Sequence, residues 1–362
     1  MATADGTWNY RERFGEGFGR TYFRRFPPGV CSSVGIGTYL GEPTDSVDAQ
    51  YVAAITMALE HGINHVDTAI NYRCQRSERA VGEALRRAAV DRESVVVSTK
   101  GGFLPFDGDR PADPGAYIRE QFVEPGVVDP ESLVRGSHSL APGFIDTMID
   151  RSLSNLGVDR VDCYYLHNPE TQLLENDREA VYDQLETAFE LLERRRAADE
   201  IGGYGLATWQ AFRVARSHQQ YLSLPAVIER AEAAAETVSV ENHGFQAIQL
   251  PFNVEMADAF TVEAQPTPDG PVSALEYAHE SGLSVVTSAS IGQGDLAAAI
   301  PPDIDAELAG ETAAQRAINF ARSAPGVTTS LVGMRSVDHV AENVAAGTFD
   351  PLGAGAFDTV FE

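Results

Sequence analysis

One stretch decides the fold: Gly62-Ile63-Asn64-His65-Val66-Asp67-Thr68-Ala69-Ile70-Asn71-Tyr72. Its glycine ends an amphipathic helix, and residues 63–66 form a short apolar run of strand length. The run then opens into a polar loop that carries an acid, Asp67, and a phenol, Tyr72. This pattern predicts a strand that ends in a functional site.

Two further apolar runs end in the same way. Residues 94–99 are followed by Lys100, and residues 161–166 are followed by His167. Ionisable residues that each follow a separate strand are typical of the C-terminal rim of a parallel barrel, where catalytic groups collect. Lys100 is also the only lysine of the chain, which indicates a position that needs a compact point charge and not the planar head of arginine.

Strands and helices alternate along the whole chain. Alternation of this kind implies right-handed crossovers and parallel strands. No linker and no change of composition interrupts it, so the sequence predicts an α/β fold, a (β/α)8 TIM barrel, as a single domain over residues 1–362. No Gly-x-Gly-x-x-Gly follows a strand, which argues against a Rossmann fold. The predicted strands are residues 32–37, 63–66, 94–99, 161–166, 201–207, 245–250, 283–287 and 327–331.

Two segments lie outside this alternation. Residues 1–30 are rich in glycine, arginine and aromatic residues without clear periodicity, and we expect an N-terminal arm or hairpin outside the barrel. Residues 101–142 form a long insertion after the third strand. Because the insertion follows the C-terminal end of a strand, we expect it to cover the site as a lid or pocket wall; a peripheral ornament is the alternative.

The four polar residues at the strand ends occur in the order of a known catalytic tetrad. The chain resembles the aldo-keto reductases, which are nicotinamide-dependent (β/α)8-barrel enzymes, over nearly its full length. The resemblance rests on the stretch quoted first and on Ser77-Glu78, Val81-Gly82-Glu83-Ala84-Leu85, Ser98-Thr99-Lys100 and Tyr164-Tyr165-Leu166-His167-Asn168-Pro169.

The resemblance implies a role for each member of the tetrad. Tyr72 would be the general acid, and a phenol donates well only if its pKa falls from about 10 toward neutrality. Lys100 would lower that pKa, and Asp67 would pair with Lys100 and hold it. His167 would orient or polarise the substrate carbonyl. Taken singly, these residues could equally be a turn-forming acid, a loop aromatic and an interior histidine.

The resemblance also implies a site for NADP(H), or else NAD(H). Gln249 resembles the family glutamine that holds the nicotinamide carboxamide, whereas Thr208 and Ser288 depart from the family's amide donor and stacking aromatic. Arg335 next to a helix start is suited to a 2′-phosphate, so NADPH is the expected cofactor. Tyr39 is expected in the substrate pocket, or else is an ordinary loop aromatic. The cofactor-binding residues expected are Gly37, Thr38, Thr208, Gln249, Ser288, Gly333, Arg335, His339, Glu342 and Asn343.

Charge and composition limit the class of protein. A net charge of −26, from 53 acidic against 27 basic residues, argues against a nucleic-acid partner or an anionic membrane surface. No apolar run could span a bilayer, the start does not resemble a signal peptide, and the three cysteines match neither a disulfide framework nor a zinc pattern. We therefore expect a cytoplasmic protein. Its acidic surface with one lysine is typical of a salt-adapted, halophilic protein; an ordinary acidic enzyme is the alternative.

The sequence as a whole predicts an oxidoreductase. It would transfer hydride between a nicotinamide cofactor, preferably NADPH, and a small-molecule carbonyl or alcohol, with Tyr72 as general acid and base. One alternative is a catalytically weak, nicotinamide-binding sensor or regulatory subunit on the same barrel. A metal-dependent barrel hydrolase is less favoured, because only Asp67 and His167 would qualify as ligands at strand ends, and no metal site is predicted.

Overall fold

Eight short strands form a closed parallel barrel in the computed structural model, which describes residues 1–361. Each strand pairs with the next along the chain, and the last pairs with the first, for example Gly333 with Gly37. All eight predicted strands and the predicted (β/α)8 fold are confirmed. The strands are β1 (Val34–Gly37), β2 (His65–Asp67), β3 (Val96–Gly101), β4 (Cys163–His167), β5 (Tyr204–Ala207), β6 (Phe245–Pro251), β7 (Ser284–Ser288) and β8 (Val327–Gly333).

The side chains of each strand alternate between two apolar cores. In β4, Cys163 and Tyr165 pack inside the barrel, whereas Tyr164 and Leu166 pack against the surrounding helices. This alternation is what closing a sheet into a barrel requires, and it explains why the strands are buried almost throughout.

Local sequence signals mark where several helices begin and end. Thr44 caps α2, since its side chain accepts a hydrogen bond from the backbone N–H of Val47. Gly157 ends α5 in the left-handed conformation, with a φ of 64°, which glycine adopts at little cost. The helices are α1 (Ala4–Phe14), α2 (Asp45–Glu60), α3 (Arg76–Arg87), α4 (Pro114–Ile118), α5 (Pro142–Leu156), α6 (Arg178–Ala197), α7 (Leu224–Val238), α8 (Asp258–Thr261), α9 (Ala274–Glu280), α10 (Pro302–Asp305), α11 (Ala313–Ser323), α12 (Val337–Ala346) and α13 (Ala354–Asp358).

Residues 1–30 contain a helix that the sequence analysis did not predict. Only Thr7 and Tyr10 of α1 are buried, so the helix has no periodic apolar stripe to reveal it. A hairpin follows, formed by Phe23–Phe26 and Gly29–Ser32. Phe26 and Cys31 pack with the first residues of the barrel strands, such as Cys163, so the hairpin closes the N-terminal end of the barrel. A second hairpin, Gln265–Thr267 with Gly270–Val272, follows α8.

The insertion lies beside the site and reaches it at one point. Its two ends pair with each other through backbone hydrogen bonds, such as Leu104 N–H to the Ser137 carbonyl at 2.9 Å. Its buried Phe122 packs against Phe144 of α5, and its Asp107 binds Arg79 of α3. These contacts hold most of the segment against the neighbouring helices. Phe103 is the residue of the insertion that lines the cavity, and the role of the segment as a lid stays a prediction.

Three further features bear on the class of protein. Within residues 1–361, no helix is long and apolar enough to cross a membrane. In the same range, no group of three or more His, Cys, Asp or Glu side chains is arranged to hold a metal ion. Cys31, Cys74 and Cys163 are buried, free thiols.

Candidate active site

A cavity of about 820 Å³ opens at the C-terminal ends of the barrel strands. Every residue that the sequence analysis assigned to catalysis, cofactor binding or the substrate pocket lines this cavity, with the exception of Lys100, which is buried against Asp67. The parallel barrel thus collects residues that are far apart in the chain. The assigned residues that line the cavity are Gly37, Thr38, Tyr39, Asp67, Tyr72, His167, Thr208, Gln249, Ser288, Gly333, Arg335, His339, Glu342 and Asn343.

Asp67 and Lys100 form a buried ion pair at the ends of β2 and β3. Lys100 Nζ donates to Asp67 Oδ1 and, at 2.8 Å, to the backbone carbonyl of Thr68. The second carboxylate oxygen of Asp67 accepts hydrogen bonds from Ser98 Oγ at 2.9 Å and from Gln249 Nε2 at 3.0 Å. A buried ion pair is tolerated when such additional hydrogen bonds satisfy it. Burial lowers the pKa of Lys100, and Asp67 partly opposes that effect.

Tyr72 lies between the ion pair and the cavity. Its ring centroid is 5.1 Å from Lys100 Nζ. Burial, and secondarily the negative charge of Asp67, raises the pKa of Tyr72 well above its ordinary value. Lys100 pairs with Asp67, and burial outweighs any lowering of the Tyr72 pKa in this arrangement, so the lowering by Lys100 stays a prediction. At neutral pH the phenol keeps its proton.

His167, at the end of β4, is a neutral imidazole. Burial lowers its pKa well below the ordinary value, and the positive charge of Lys100 lowers it further. Its Nδ1 is buried and has no hydrogen-bond partner within residues 1–361. Because Nδ1 is enclosed by protein, Nε2 is the ring nitrogen that can meet a ligand in the cavity. The ring packs edge-on against Tyr72, with centroids 5.7 Å apart.

Several side chains that were expected to contact a nicotinamide form hydrogen bonds within the protein. Gln249 donates its amide N–H to Asp67, which leaves its amide oxygen as the acceptor toward the cavity. Thr208 donates its hydroxyl to the Gln249 backbone carbonyl at 3.3 Å, so this side chain faces the barrel wall. Thr38 donates its hydroxyl to the backbone carbonyl of Asp67 at 3.1 Å. Ser288 ends β7 with no aromatic ring at that position.

The far end of the cavity lies at the start of α12. Ser336 caps this helix, with its Oγ 3.2 Å from the backbone nitrogen of His339. Arg335 is exposed there, and none of the carboxylates described forms an ion pair with it. A capped helix N-terminus next to an arginine is suited to bind an anion. Glu342 accepts a hydrogen bond from Thr312 at 2.7 Å, which fixes the carboxylate beside the cavity.

Sequence reasoning missed several lining residues near Tyr72. Asn71 and Asn168 each adjoin a tetrad member in the chain, and Phe103 and Trp209 follow β3 and β5. Asn168 offered a signal, since asparagine is among the few residues that tolerate the left-handed backbone, here with a φ of 49°. Trp209 offered another, as an apolar residue directly after a strand. Ser98, which orients Asp67, was quoted in a family segment but not assigned to the site.

Comparison with known proteins finds relatives that match part of this chain. Three relatives are similar to parts of the chain. The D-threo-aldose 1-dehydrogenase of Pseudomonas sp is 31% identical over 44% of this chain and 44% of its own length. The glycerol 2-dehydrogenase (NADP(+)) of Saccharomyces cerevisiae is 30% identical over 38% of this chain and 30% of its own length. The NADH-specific methylglyoxal reductase of Escherichia coli is 32% identical over 38% of this chain and 38% of its own length. The matched region thus spans less than half the length of each relative.

Solved structures extend the likeness of fold to the full chain. An aldo/keto reductase from Klebsiella pneumoniae, in complex with NADP and acetate, has a TM-score of 0.62 at 18% identity and covers 94% of each chain. The holo form of aldo-keto reductase AKR11C1 from Bacillus halodurans has a TM-score of 0.64 at 19% identity, over 94% of this chain and 96% of that one. The model of the Aldo/keto reductase family matches residues 33–227, more than half of the chain. This protein belongs to the aldo/keto reductase family.

Proposed function

We propose that the protein is an NAD(P)H-dependent oxidoreductase that interconverts a small carbonyl compound and its alcohol. The observation that supports this most is the meeting of Asp67, Lys100, Tyr72 and His167 at one end of a cavity whose other end is a capped helix N-terminus with Arg335. The end with Tyr72 is suited to proton transfer, and the end with Arg335 is suited to bind a phosphate.

The proposed roles of the tetrad follow from charge and burial. A nicotinamide cofactor, when bound, supplies or accepts the hydride. Tyr72, which holds its proton at neutral pH, donates it to the oxygen of the carbonyl as that oxygen gains negative charge. Neutral His167 donates a hydrogen bond to the same oxygen through Nε2 and orients it. Lys100, held by Asp67, puts an ammonium group next to the ring as negative charge develops on the phenol oxygen.

The residues of the cavity fit a nicotinamide dinucleotide. The amide oxygen of Gln249 is suited to accept from a carboxamide N–H, and Gly37 and Thr38 line the same end. The first backbone N–H groups of α12 and the exposed Arg335 are suited to a phosphate monoester, which favours NADPH over NADH. His339, Glu342 and Asn343 would flank the adenosine; Thr208 is the weakest of these assignments, because its hydroxyl is already engaged.

The substrate end of the cavity favours a small, uncharged molecule. Tyr39, Phe103 and Trp209 supply aromatic walls, and Asn71 and Asn168 supply amides. Among the described lining residues, the arginine lies at the other end of the cavity. Lys100 beside Tyr72 is buried and paired with Asp67, so a carboxylate substrate would find no free cation there. Hydroxylated carbonyls such as aldoses and hydroxyketones suit this lining, and the names of two of the relatives point to the same class.

The acidic composition supports a salt-adapted protein. The chain carries 53 acidic residues against 27 basic ones, of which one is lysine. The carboxylates therefore outnumber the basic side chains that could pair with them. An excess of surface negative charge keeps a protein dispersed but destabilises the compact state unless salt screens the repulsion.

One assay tests the function. The full chain in KCl on the order of molar is given NADPH or NADH and a panel of aldoses, hydroxyketones, methylglyoxal and simple aldehydes, and nicotinamide absorbance is followed. We expect NADPH-dependent turnover of at least one hydroxylated carbonyl, which Tyr72→Phe should abolish. Cofactor binding without turnover on any substrate would favour the sensor alternative. If neither cofactor binds, the proposal is wrong.

A further inference from the structure

The insertion contacts His167 through Gly102, Phe103 and His138. Phe103 also lines the cavity, whereas His138 is buried and does not line it. Residues 102–104 and 137–139 run antiparallel, with the Ser139 N–H bonded to the Gly102 carbonyl at 2.9 Å. This pairing brings His138 beside the end of β4, where it is fully buried.

His138 holds the backbone of His167 through a hydrogen bond of defined direction. Its Nε2 is 2.8 Å from the His167 carbonyl oxygen, and its Nδ1 is 2.8 Å from Gln172 Nε2. An amide nitrogen can only donate, so Nδ1 of His138 accepts and Nε2 carries the proton that goes to the carbonyl. Burial lowers the pKa of His138 to about 4, so the ring stays neutral and keeps this tautomer at neutral pH.

Phe103 holds the ring of His167. It packs edge-on against both histidines, with centroid distances of 4.8 Å to His138 and 5.2 Å to His167. On its other side His167 contacts Tyr72, the proposed proton donor. Because Nδ1 of His167 has no partner within residues 1–361, no hydrogen bond through that nitrogen orients the ring, and packing must do so.

Gly102 permits this close approach. Its φ is +148°, and a Cβ at this position would lie 2.7 Å from the His167 carbonyl oxygen and 3.1 Å from His138 Nε2. Any other residue would push the insertion away from β4. The close contact between the insertion and His167 therefore depends on glycine at position 102.

We propose that His138 and Phe103 are positioning residues for His167, so that the insertion sets the position of this histidine in the active site. The proposal rests on the proposed function, in which His167 orients the substrate carbonyl. His138 does not line the cavity and acts through the backbone of His167, whereas Phe103, which also lines the cavity, acts through the ring of His167.

Two substitutions at one position test the hydrogen bond. His138→Leu removes the donor at similar volume, whereas His138→Gln keeps an N–H where Nε2 lies. We expect His138→Leu to lower kcat on the order of 10- to 100-fold, as small displacements in an active site do, with unchanged Kd for NADPH. His138→Gln should restore most of kcat. As a control for lost packing, Phe122→Leu in the buried part of the insertion should lower Tm but not kcat.

A double-mutant cycle shows whether His138 acts through His167. In a His167→Ala background, His138→Leu should cost little more, because the two residues would act as one unit. Unchanged kcat in His138→Leu, or an equal loss in both backgrounds, would overturn the proposal. If His138→Leu does not fold, the same cycle is run with His138→Met, a second apolar replacement that removes the donor.

The proposal can fail separately from the proposed function. If the wild-type protein binds no cofactor and turns over no substrate, imidazole NMR spectra still report on His167, whose signals are assigned with His167→Ala. A shift of those signals in His138→Leu but not in Phe122→Leu supports the positioning role. Unchanged His167 signals in all three folded proteins would contradict it.

Discussion

Tyr72 and Lys100 are neighbours, yet burial affects the pKa of each more than their mutual contact does. The pKa of the phenol is raised and that of the ammonium is lowered, both chiefly by desolvation. Asp67 then adds to the rise in the tyrosine and opposes the fall in the lysine. At neutral pH Tyr72 therefore carries its proton, and only a stronger base, such as the alkoxide that would develop in the proposed reduction, could remove it.

This raised pKa makes the two directions of reaction respond differently to pH. In the proposed mechanism, alcohol oxidation needs Tyr72 as phenolate, and below its pKa the phenolate fraction rises about tenfold per pH unit. Since the pKa of Tyr72 lies above its ordinary value, kcat for oxidation should keep rising up to about pH 10. For reduction, Tyr72 stays protonated below that pH, so its titration should not lower kcat there. The measurement is a pH profile of kcat in both directions. A plateau of the oxidation rate below about pH 9 would contradict the raised pKa.

Lys100→Arg keeps the charge and should still abolish most turnover. Lys100 is fully buried, and its ammonium is matched to Asp67 and the Thr68 carbonyl. The wider, planar arginine would displace one of these partners or the ring of Tyr72. We expect kcat to fall roughly 10²–10⁴-fold, with NADPH binding and Tm used to verify the fold. Near-normal turnover in a folded variant would make the single lysine an accident of composition.

At the scale of elements, α12 is expected to decide between the two cofactors. Arg335 precedes its capped N-terminus and lies at the end of the cavity farthest from Tyr72. Arg335→Ala should weaken NADPH binding by roughly 1.5–3 kcal/mol and NADH binding far less, because only NADPH has the 2′-phosphate. The measurement is Kd for each cofactor, with Arg20→Ala, an exposed arginine outside the cavity, as the control. Equal losses for both cofactors would rule out the assignment.

The elements that the sequence predicted are those with a strong local signal. Each barrel strand is a short apolar run, and α2 has both a cap at Thr44 and a glycine after its end. Helix α1 has no apolar stripe and only two buried residues, and its local signals are the capping Thr3 and the charges at its two ends, which the search for apolar periodicity did not use. The insertion has few periodic residues, and its position follows from distant partners such as Phe144 and Arg79, which no local pattern reveals.

At the scale of the whole molecule, charge is expected to make stability depend on salt. The net charge of −26 produces a long-range repulsion that molar salt screens, since the Debye length falls to about 3 Å. Salt also weakens surface ion pairs, such as Arg230 with Glu179 and Glu186, but each is worth only about 0–1 kcal/mol. Relief of repulsion should therefore dominate, and Tm should rise between about 0.1 and 2 M KCl.

A second solute separates screening from general stabilisation. Sucrose at matched osmolality is excluded from protein surfaces but carries no charge, so it should raise Tm less than KCl does. A Tm that is flat or falls with KCl would show that the acidic composition is not an adaptation to salt. An equal rise in sucrose would assign the effect to exclusion and not to charge.

The sequence predicted which residues line the site better than it predicted their pKa values. Tyr72, Lys100 and His167 could be assigned from their order and from their place after apolar runs. The direction of the pKa of Tyr72 could not, because it depends on the engagement of Lys100 by Asp67 and on burial. The support of His167 by His138 was equally hidden, since it depends on how the insertion folds back onto β4.

The most direct test of the account is the rate of hydride transfer in a single turnover of Tyr72→Phe. Cofactor and enzyme are mixed with a good substrate under conditions that exclude product release, and Kd for NADPH is measured in parallel. If Tyr72 is the proton donor, the rate should fall about 10²–10⁴-fold while Kd stays unchanged, because the phenol oxygen is lost and the ring that packs on His167 remains. A single-turnover rate close to that of the wild type would contradict the central claim.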